Sequence, residues 1–171
     1  MKKIVFFILI ALPAAGIAQE SQINKFIEKY SGKPGFTTIT FTKEMFELYR
    51  NSDNPAQGKG SVNAPAGINS MKMLTVSSDT TIRANFSKEL HALLPKDKYK
   101  ELMVIKDANS TITFLARQEG QKVKEFIMTI DGASPLLIYM EGDMDFDQLS
   151  KLSESMDIRG LDQLENIDEK K

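Results

Sequence analysis

Along the first half of the chain, apolar positions switch between helical and strand spacing. Ile23, Phe26, Ile27 and Tyr30 recur at intervals of three and four residues, which predicts an amphipathic helix over 21–31. The next run, FTTITFT, consists of β-branched and aromatic residues and predicts a strand at 36–42. The same spacings predict, in order, a short helix at 43–50, a strand at 71–77 and a helix at 79–94.

The second half of the chain changes to strand spacing. A helical turn at 99–102 is followed by four β-rich runs with connections short enough for hairpins, and then by a helix at 146–156. Hairpin-linked strands pair with their neighbours in an antiparallel meander. The sequence therefore predicts an α+β fold: a mostly antiparallel sheet of about four to six strands, with the meander in the C-terminal half and helices packed on one face. The four runs lie at 102–106, 111–117, 123–131 and 135–141.

Alternation within 123–131 also predicts which side of the sheet is buried. Phe126 and Met128 point to one side of a regular strand, and Ile127 points to the other. The side with Phe126 is the more apolar, and it matches the side of the next strand that carries Met140. We therefore expect Phe126 and Met140 to face the helices, and Ile127 to lie with Glu125 on a partly solvated side.

The first eighteen residues have the organisation of a secretory signal peptide. Lys2 and Lys3 precede an apolar run at 4–12 that is too short to span a bilayer, and small residues follow up to position 18. This pattern predicts cleavage before Gln19 and a mature protein that is periplasmic or secreted. Residues 19–171 have the length of one domain, with a flexible loop at 51–67. The segment from 158 is either a last short helix or a frayed tail.

Composition excludes several classes of function. The chain has 22 Lys and Arg against 23 Asp and Glu, and without Lys2 and Lys3 the balance is 20 to 23, so the basic surplus of a nucleic-acid-binding protein is missing. No Cys and a single His, His91, exclude disulfides, thiol chemistry and metal sites built from several histidines. No second apolar run is long enough for a transmembrane span in the mature form. We predict no cofactor.

Three stretches of the chain together resemble a known family. They are FIEKYSGKPGFTTITFTKEMFEL at 26–48, YKELMVIKDANSTITFLAR at 99–117 with the following KVKEFIMTIDG, and LLIYMEGDMDFDQLSKLSE at 136–154. This sequence resembles the DUF4252 family of small exported proteins, found chiefly in Bacteroidetes, and its leader resembles leaders of that phylum. The resemblance implies a single envelope domain and agrees with a role in envelope signalling. The family carries no assigned activity, so no residue role is transferred.

One acidic cluster has the spacing of a calcium-binding loop. Asp143, Asp145, Asp147 and Glu154 fall at positions 1, 3, 5 and 12 of the EF-hand pattern. Position 6, however, is Gln148 where the sharp turn needs Gly. The alternative is a strand-to-helix turn in which Asp145 or Asp147 caps the helix and the other acids lie near its positive end. The departures favour the turn, so we predict neither a metal site nor catalytic residues.

These observations predict a function class rather than a reaction. We expect an exported binding protein without catalytic activity, whose partner is an envelope protein. The alternative is a carrier of a small apolar or lipid-like ligand in a pocket between sheet and helices. An exposed apolar patch over a solid core favours the partner-binding protein, whereas an internal apolar cavity favours the carrier.

Overall fold

The computed structural model describes residues 21–51, 67–76, 79–94, 97–145 and 149. The predicted signal peptide, most of the predicted loop at 51–67 and the predicted tail from 158 lie outside these residues. The described residues form three helices and six strands in the predicted order. They are α1 (Gln22–Tyr30), β1 (Phe36–Thr42), α2 (Lys43–Asn51), β2 (Ile68–Val76), α3 (Thr80–Leu93), β3 (Lys100–Lys106), β4 (Ser110–Glu119), β5 (Lys122–Gly132) and β6 (Leu136–Met144).

The six strands form one antiparallel sheet in the order β1-β2-β6-β5-β4-β3. The C-terminal meander is confirmed, because β3, β4, β5 and β6 pair successively through short connections. The predicted helical turn at 99–102 is wrong, since β3 begins at Lys100 and pairs with β4 from its first residue. A register shift between Glu101 and Met103 interrupts its pairing with β4. Because of this irregularity, the first residues of β3 do not follow the alternation that predicts a strand.

Apolar side chains cover both faces of the sheet. One cluster, here called the methionine face, contains Phe126 with Phe46 of α2 and four fully buried methionines, Met71, Met128, Met140 and Met144. The other, here called the aromatic face, joins α1 and α3 to the sheet. Its members include Ile23, Phe26, Ile27, Tyr30, Phe86, Leu90, Leu74, Leu115, Ile127, Leu137 and Tyr139.

The two faces revise the predicted packing. Phe126 and Met140 do share one face, as their alternation indicates. The packing of all helices on that face is not confirmed, because α1 and α3 contribute to the opposite cluster. Ile127 is fully buried beneath those helices, so the expectation of a partly wet side is wrong. The alternation predicts correctly which residues of β5 share a side, but it does not show that apolar residues of α1 and α3 cover the side with Glu125.

Local contacts explain where the two helices of the aromatic face begin and how they meet. The Ser21 hydroxyl accepts a hydrogen bond from the Ile23 backbone N–H at the start of α1. The Asp79 carboxylate accepts from two backbone N–H groups at the start of α3. The rings of Phe26 and Phe86 lie 5.4 Å apart between the two helices. α1 and α3 are therefore fixed against each other as well as against the sheet.

Strands β2 and β6 meet at a very close backbone approach. The Asp143 N–H donates to the Gly67 carbonyl at 2.7 Å, beside the start of β2. A Cβ atom at Gly142 would lie 1.9 Å from the same carbonyl oxygen, so the position admits only glycine without a shift of the backbone. This junction joins the N-terminal pair of strands to the C-terminal meander.

No helix within the described ranges is both long enough and apolar enough to cross a membrane.

Candidate functional site

The two outer strands of the sheet differ in how they meet solvent. β3 carries Lys100, Glu101 and Lys106, and its pairing with β4 is interrupted by the register shift after Glu101. Charges and bulges of this kind discourage pairing with another chain. β1 has neither: it contains no charged residue, and its seven residues pair with β2 without a register shift. Among the described residues, no strand pairs with the outer side of β1.

Two large apolar side chains are exposed on β1 and on the helix that follows it. Ile39, at the centre of β1, is 44% exposed, and Leu48 of the following helix α2 is 72% exposed. Within the described ranges, these are the large hydrophobic residues that remain exposed. An open strand edge that carries an exposed apolar side chain is a surface on which an extended segment can add as a further strand.

The same strand holds a polar atom without a partner. The Oγ1 atom of Thr38 is buried and makes no hydrogen bond to any described residue. Buried hydroxyls are normally hydrogen-bonded, and an unmade bond costs about 1–3 kcal/mol. The edge strand therefore has an unmet hydrogen-bonding requirement in the single chain.

A row of polar side chains crosses the sheet at one end of the aromatic face. Ser70, Glu141, Glu125 and Arg117 lie opposite one another on β2, β6, β5 and β4. Arg117 contacts the Glu125 carboxylate through two nitrogens at 2.8 Å, and the Glu125 side chain is only 12% exposed. Glu141 accepts from the Tyr139 hydroxyl at 2.7 Å and from the Ser70 hydroxyl at 3.2 Å. The Glu125 and Glu141 carboxylates therefore accept hydrogen bonds from different donors within the row.

Two tyrosines of this region are held in the neutral form. Burial, reinforced by a hydrogen bond to Glu125, raises the pKa of Tyr99 well above its usual range. Burial likewise raises the pKa of Tyr139, which donates to Glu141. A phenol that stays protonated at neutral pH serves as a hydrogen-bond donor, so these hydroxyls anchor the two carboxylates.

A cavity of about 790 Å³ lies between the end of α3 and strands β3, β4 and β5. His91 and Tyr99 line it together with Leu94 and Leu115, and Thr129 lies among its lining residues. Thr129 is 1% exposed, and its Oγ1 atom has no hydrogen-bond partner among the described residues. The volume falls in the range of small-molecule sites, and the lining is both polar and apolar.

His91 lies at the rim of this cavity. It is in the last turn of α3, where a protonated imidazole would suit the negative end of the helix. Its Nε2 atom lies 2.8 Å from the Asp131 carboxylate on β5. The single histidine thus ties the helix to the sheet.

The four candidate calcium ligands, which the sequence did not favour as a metal site, are only partly within the described residues. Asp143 contacts Lys124, and that ammonium lowers the pKa of the Asp143 carboxyl. Asp145 lies 2.7 Å from the Lys122 ammonium. Asp147 and Glu154 lie outside the described residues, so the arrangement of the complete set of four is not tested. No group of three or more His, Asp or Glu within the described ranges is arranged to hold a metal ion.

The alternative interpretation of this acidic segment has local support. The Leu149 N–H donates to the Asp145 carbonyl at 3.2 Å, the spacing of a helical turn, and Leu149 is fully buried in the methionine face. Residues 146–148 lie outside the described residues, so the strand-to-helix turn stays a prediction.

Sequence reasoning missed the group formed by Arg117, Glu125 and Tyr99. A signal for the first two was present, because the predicted hairpin connection at 118–121 brings residues on either side of it opposite each other. Tyr99 gave no such signal, since its approach depends on where β3 lies in the sheet. The open edge of β1 was also missed, because strand order across the sheet cannot be read from one chain's periodicity.

Comparison with known proteins identifies a family without an assigned activity. Searches of curated proteins and of solved structures find no significant match. The family described as "Domain of unknown function (DUF4252)" matches residues 30–152, which include all six strands. The chain therefore belongs to the DUF4252 family.

Proposed function

We propose that the protein is an exported binding protein, periplasmic or secreted, that recognises an envelope protein and carries out no catalysis. The observation that supports this proposal is the open edge of β1, with its uncharged sequence and exposed Ile39. Strand addition at such an edge gains affinity from main-chain hydrogen bonds, and neighbouring side chains give specificity. A role in envelope signalling would use this edge as the point of contact.

The non-catalytic part of the proposal rests on how the ionisable groups are used. Glu125 is held by Arg117 and Tyr99, and His91 lies against Asp131. A general base or nucleophile needs a free position facing a substrate. These groups instead face each other across elements of the fold, which is the arrangement of structural contacts.

Site-specific cross-linking tests this function. A photoreactive amino acid at Thr37 on β1 is expected to form an adduct with a second polypeptide in the envelope of the producing cell. The same amino acid at Glu101 on the opposite edge is the matched control and is expected to give none. Introducing Ile39→Lys should abolish the Thr37 adduct, because a buried ammonium in a strand pair is costly. Equal adducts from both edges, or none from Thr37, would contradict the proposal.

A second candidate function is carriage of a small ligand in the cavity beside α3. The supporting observation is a cavity of about 790 Å³ whose lining includes Thr129, a buried residue whose hydroxyl has no hydrogen-bond partner among the described residues. Leu94 and Leu115 offer apolar contact, whereas the Thr129 hydroxyl has no hydrogen-bond partner among the described residues. The lining therefore fits a compact ligand with a polar head and a short apolar part better than a long lipid chain.

Native mass spectrometry tests the carrier. Protein purified from the envelope should retain an added mass, and Thr129→Val, which keeps the side-chain shape, should lose it. Retention of the same mass by Thr129→Val, or no added mass in the unmodified protein, would exclude the cavity as the binding site.

A further inference from the structure

We infer that the cavity beside α3 binds a short alkyl chain that ends in an ammonium group. The inference rests on the second candidate function, carriage of a small ligand in this cavity, and it names the chemical class of that ligand. The starting observation is the charge of the described residues that line the space of about 790 Å³.

The basic residues of the described lining, His91 and Lys100, add no net positive charge to the cavity. Lys100 lies opposite Ala116, a residue of the methionine face, and its ammonium donates to the Gln118 side chain at 3.4 Å. Directly paired residues share a face of the sheet, so the Lys100 side chain points away from the side on which the cavity lies. His91 faces the Asp131 carboxylate at 2.8 Å, and this pair is neutral when the imidazole is protonated and negative when it is not.

Two carboxylates of the lining, by contrast, are not neutralised. Glu101 lies opposite Leu115 of the aromatic face, so its side chain is on the side of the sheet that carries the cavity. Asp97, in the turn before β3, lines the space as well, whereas its exposed neighbour Lys98 is not among the lining residues. No hydrogen bond or ion pair with a described residue engages either carboxylate. Charges of one sign along a cleft attract a ligand of the opposite sign, which here is a cation.

The helix beside the cavity favours the same charge. α3 ends at Leu93, and its C-cap residue, Leu94, lines the space. The carbonyl groups at the C-terminal end of a helix carry a partial negative charge, which stabilises a nearby cation. The end of α3 therefore adds to the attraction that Asp97 and Glu101 exert on an ammonium group.

The part of the lining that the sheet and α3 contribute has room for an alkyl chain and an unmet polar group. Leu94 and Leu115 supply apolar contact. Thr129 also lines the space, is 1% exposed, and has a hydroxyl without a hydrogen-bond partner among the described residues. Because buried hydroxyls are normally hydrogen-bonded, Thr129 is a sign, independent of the charges, that a polar ligand completes the cavity.

Three probes with the same five-carbon chain separate the effect of the head group from that of the chain. Pentylammonium, pentanol and pentanoate are added in turn to the isotope-labelled protein, and the backbone amide signals of Tyr99, Leu115 and Thr129 are followed by NMR. Pentylammonium should shift these signals to saturation and bind roughly tenfold more tightly than pentanol, because its hydrogen bonds are charge-assisted. Pentanoate should not bind. Equal affinities for pentylammonium and pentanol, or tighter binding of pentanoate, would overturn the inference.

Removal of the two carboxylates tests where the head group lies. Asp97→Asn combined with Glu101→Gln should weaken pentylammonium binding by roughly tenfold, because charge-assisted hydrogen bonds are replaced by neutral ones. Both residues are exposed, so the variant should fold, and urea denaturation checks that it does. Glu119→Gln removes an exposed carboxylate that is not among the lining residues, and as the matched control it should leave the affinity unchanged. Unchanged affinity in the double variant, or equal weakening in the control, would overturn the site.

A capped lysine, Nα-acetyl-lysine amide, distinguishes the two sources of such a group. Weaker binding of the capped lysine than of pentylammonium identifies a free amine, and equal or tighter binding identifies a lysine side chain of a peptide; both results support the ammonium site. A mass that the protein retains and Thr129→Val loses, without binding of pentylammonium, overturns the ammonium group and leaves the carrier function standing. No retained mass and no binding of any probe overturn both.

Discussion

The aromatic face and the methionine face cover the same sheet in different ways. The aromatic face lies under α1 and α3, and at one end it holds the polar row in which Arg117 and two tyrosines donate hydrogen bonds to part-buried carboxylates. The methionine face contains four fully buried methionines within a cluster of apolar residues. The directional hydrogen bonds of the polar row permit one arrangement of the side chains, whereas flexible methionine side chains can pack in several arrangements. The comparison indicates that the aromatic face determines which fold forms, whereas the methionine face contributes mainly the burial of apolar surface.

The largest effects should come from removing a large side chain on either face. Phe126→Ala on the methionine face should lower the free energy of unfolding by about 3–5 kcal/mol, and Ile127→Ala on the aromatic face by about 2–5 kcal/mol. Both side chains are fully buried, so each substitution leaves a cavity. Urea denaturation measures both. A loss below about 1 kcal/mol for either variant would mean that its face of the sheet is open to water.

The next largest effect should come from the polar row. Glu125→Gln removes the charge that Arg117 faces at 2.8 Å and should cost roughly 1.5–3 kcal/mol. Glu119→Gln is the matched control, because Glu119 also contacts Arg117 but is 61% exposed. An exposed pair is worth about 0–1 kcal/mol, so the control should be close to neutral. Equal losses in the two variants would contradict a special role for the buried pair.

A smaller effect should appear with Tyr139→Phe, which removes a donor to Glu141 and should cost about 1 kcal/mol at neutral pH. The raised pKa of Tyr139 also predicts a pH dependence. A group with a raised pKa in the folded state contributes stability that is complete below its unfolded pKa, about 10, and that declines as the pH rises above it.

Urea denaturation between pH 8 and about pH 11 tests this dependence. The unmodified protein should lose stability more steeply above pH 10 than Tyr139→Phe does, because the variant has no phenol to ionise at this position. Tyr99, which keeps its own raised pKa, contributes to both proteins equally. Parallel curves for the two proteins would mean that Tyr139 ionises in the folded state as easily as in the unfolded state.

The smallest effect is expected within the methionine face. Met140→Leu keeps the volume of a fully buried side chain and should change the free energy of unfolding by at most about 1 kcal/mol. The adaptable neighbours Met71 and Met128 can absorb the difference in shape. A loss as large as that of Phe126→Ala would show that the methionine face is packed as specifically as the aromatic face.

Much of the secondary structure was predictable, because local spacing determined it. The strand at 36–42 has the predicted bounds, and the helix around Ile23 differs by one residue at each end. The connections of the meander were also predictable from their length. β3 began earlier than predicted because its register shift breaks the alternation after Glu101.

The candidate sites were much less predictable than the elements. The openness of β1 depends on strand order, and strand order depends on the pairing of β2 with β6, which are far apart in the sequence. The cavity depends on how α3 packs over Thr129, and no pattern within α3 indicates that position. The assignment of Ile127 to a wet side failed for a related reason, since a Glu neighbour on the same side of the strand does not show whether a helix covers it.

The junction of β2 with β6 also sets an order in time. β1 and β2 are synthesised first, but β2 can join the rest of the sheet only after its partner β6 has been synthesised. The meander of β3 to β6 consists of neighbours in sequence and can close on itself quickly, whereas the β2–β6 pair closes a long loop and is expected to form late. A chain that ends before Leu136 would therefore lose more than β6 itself. Without β6, the pair of β1 and β2 would have no strand that connects it to β3, β4 and β5.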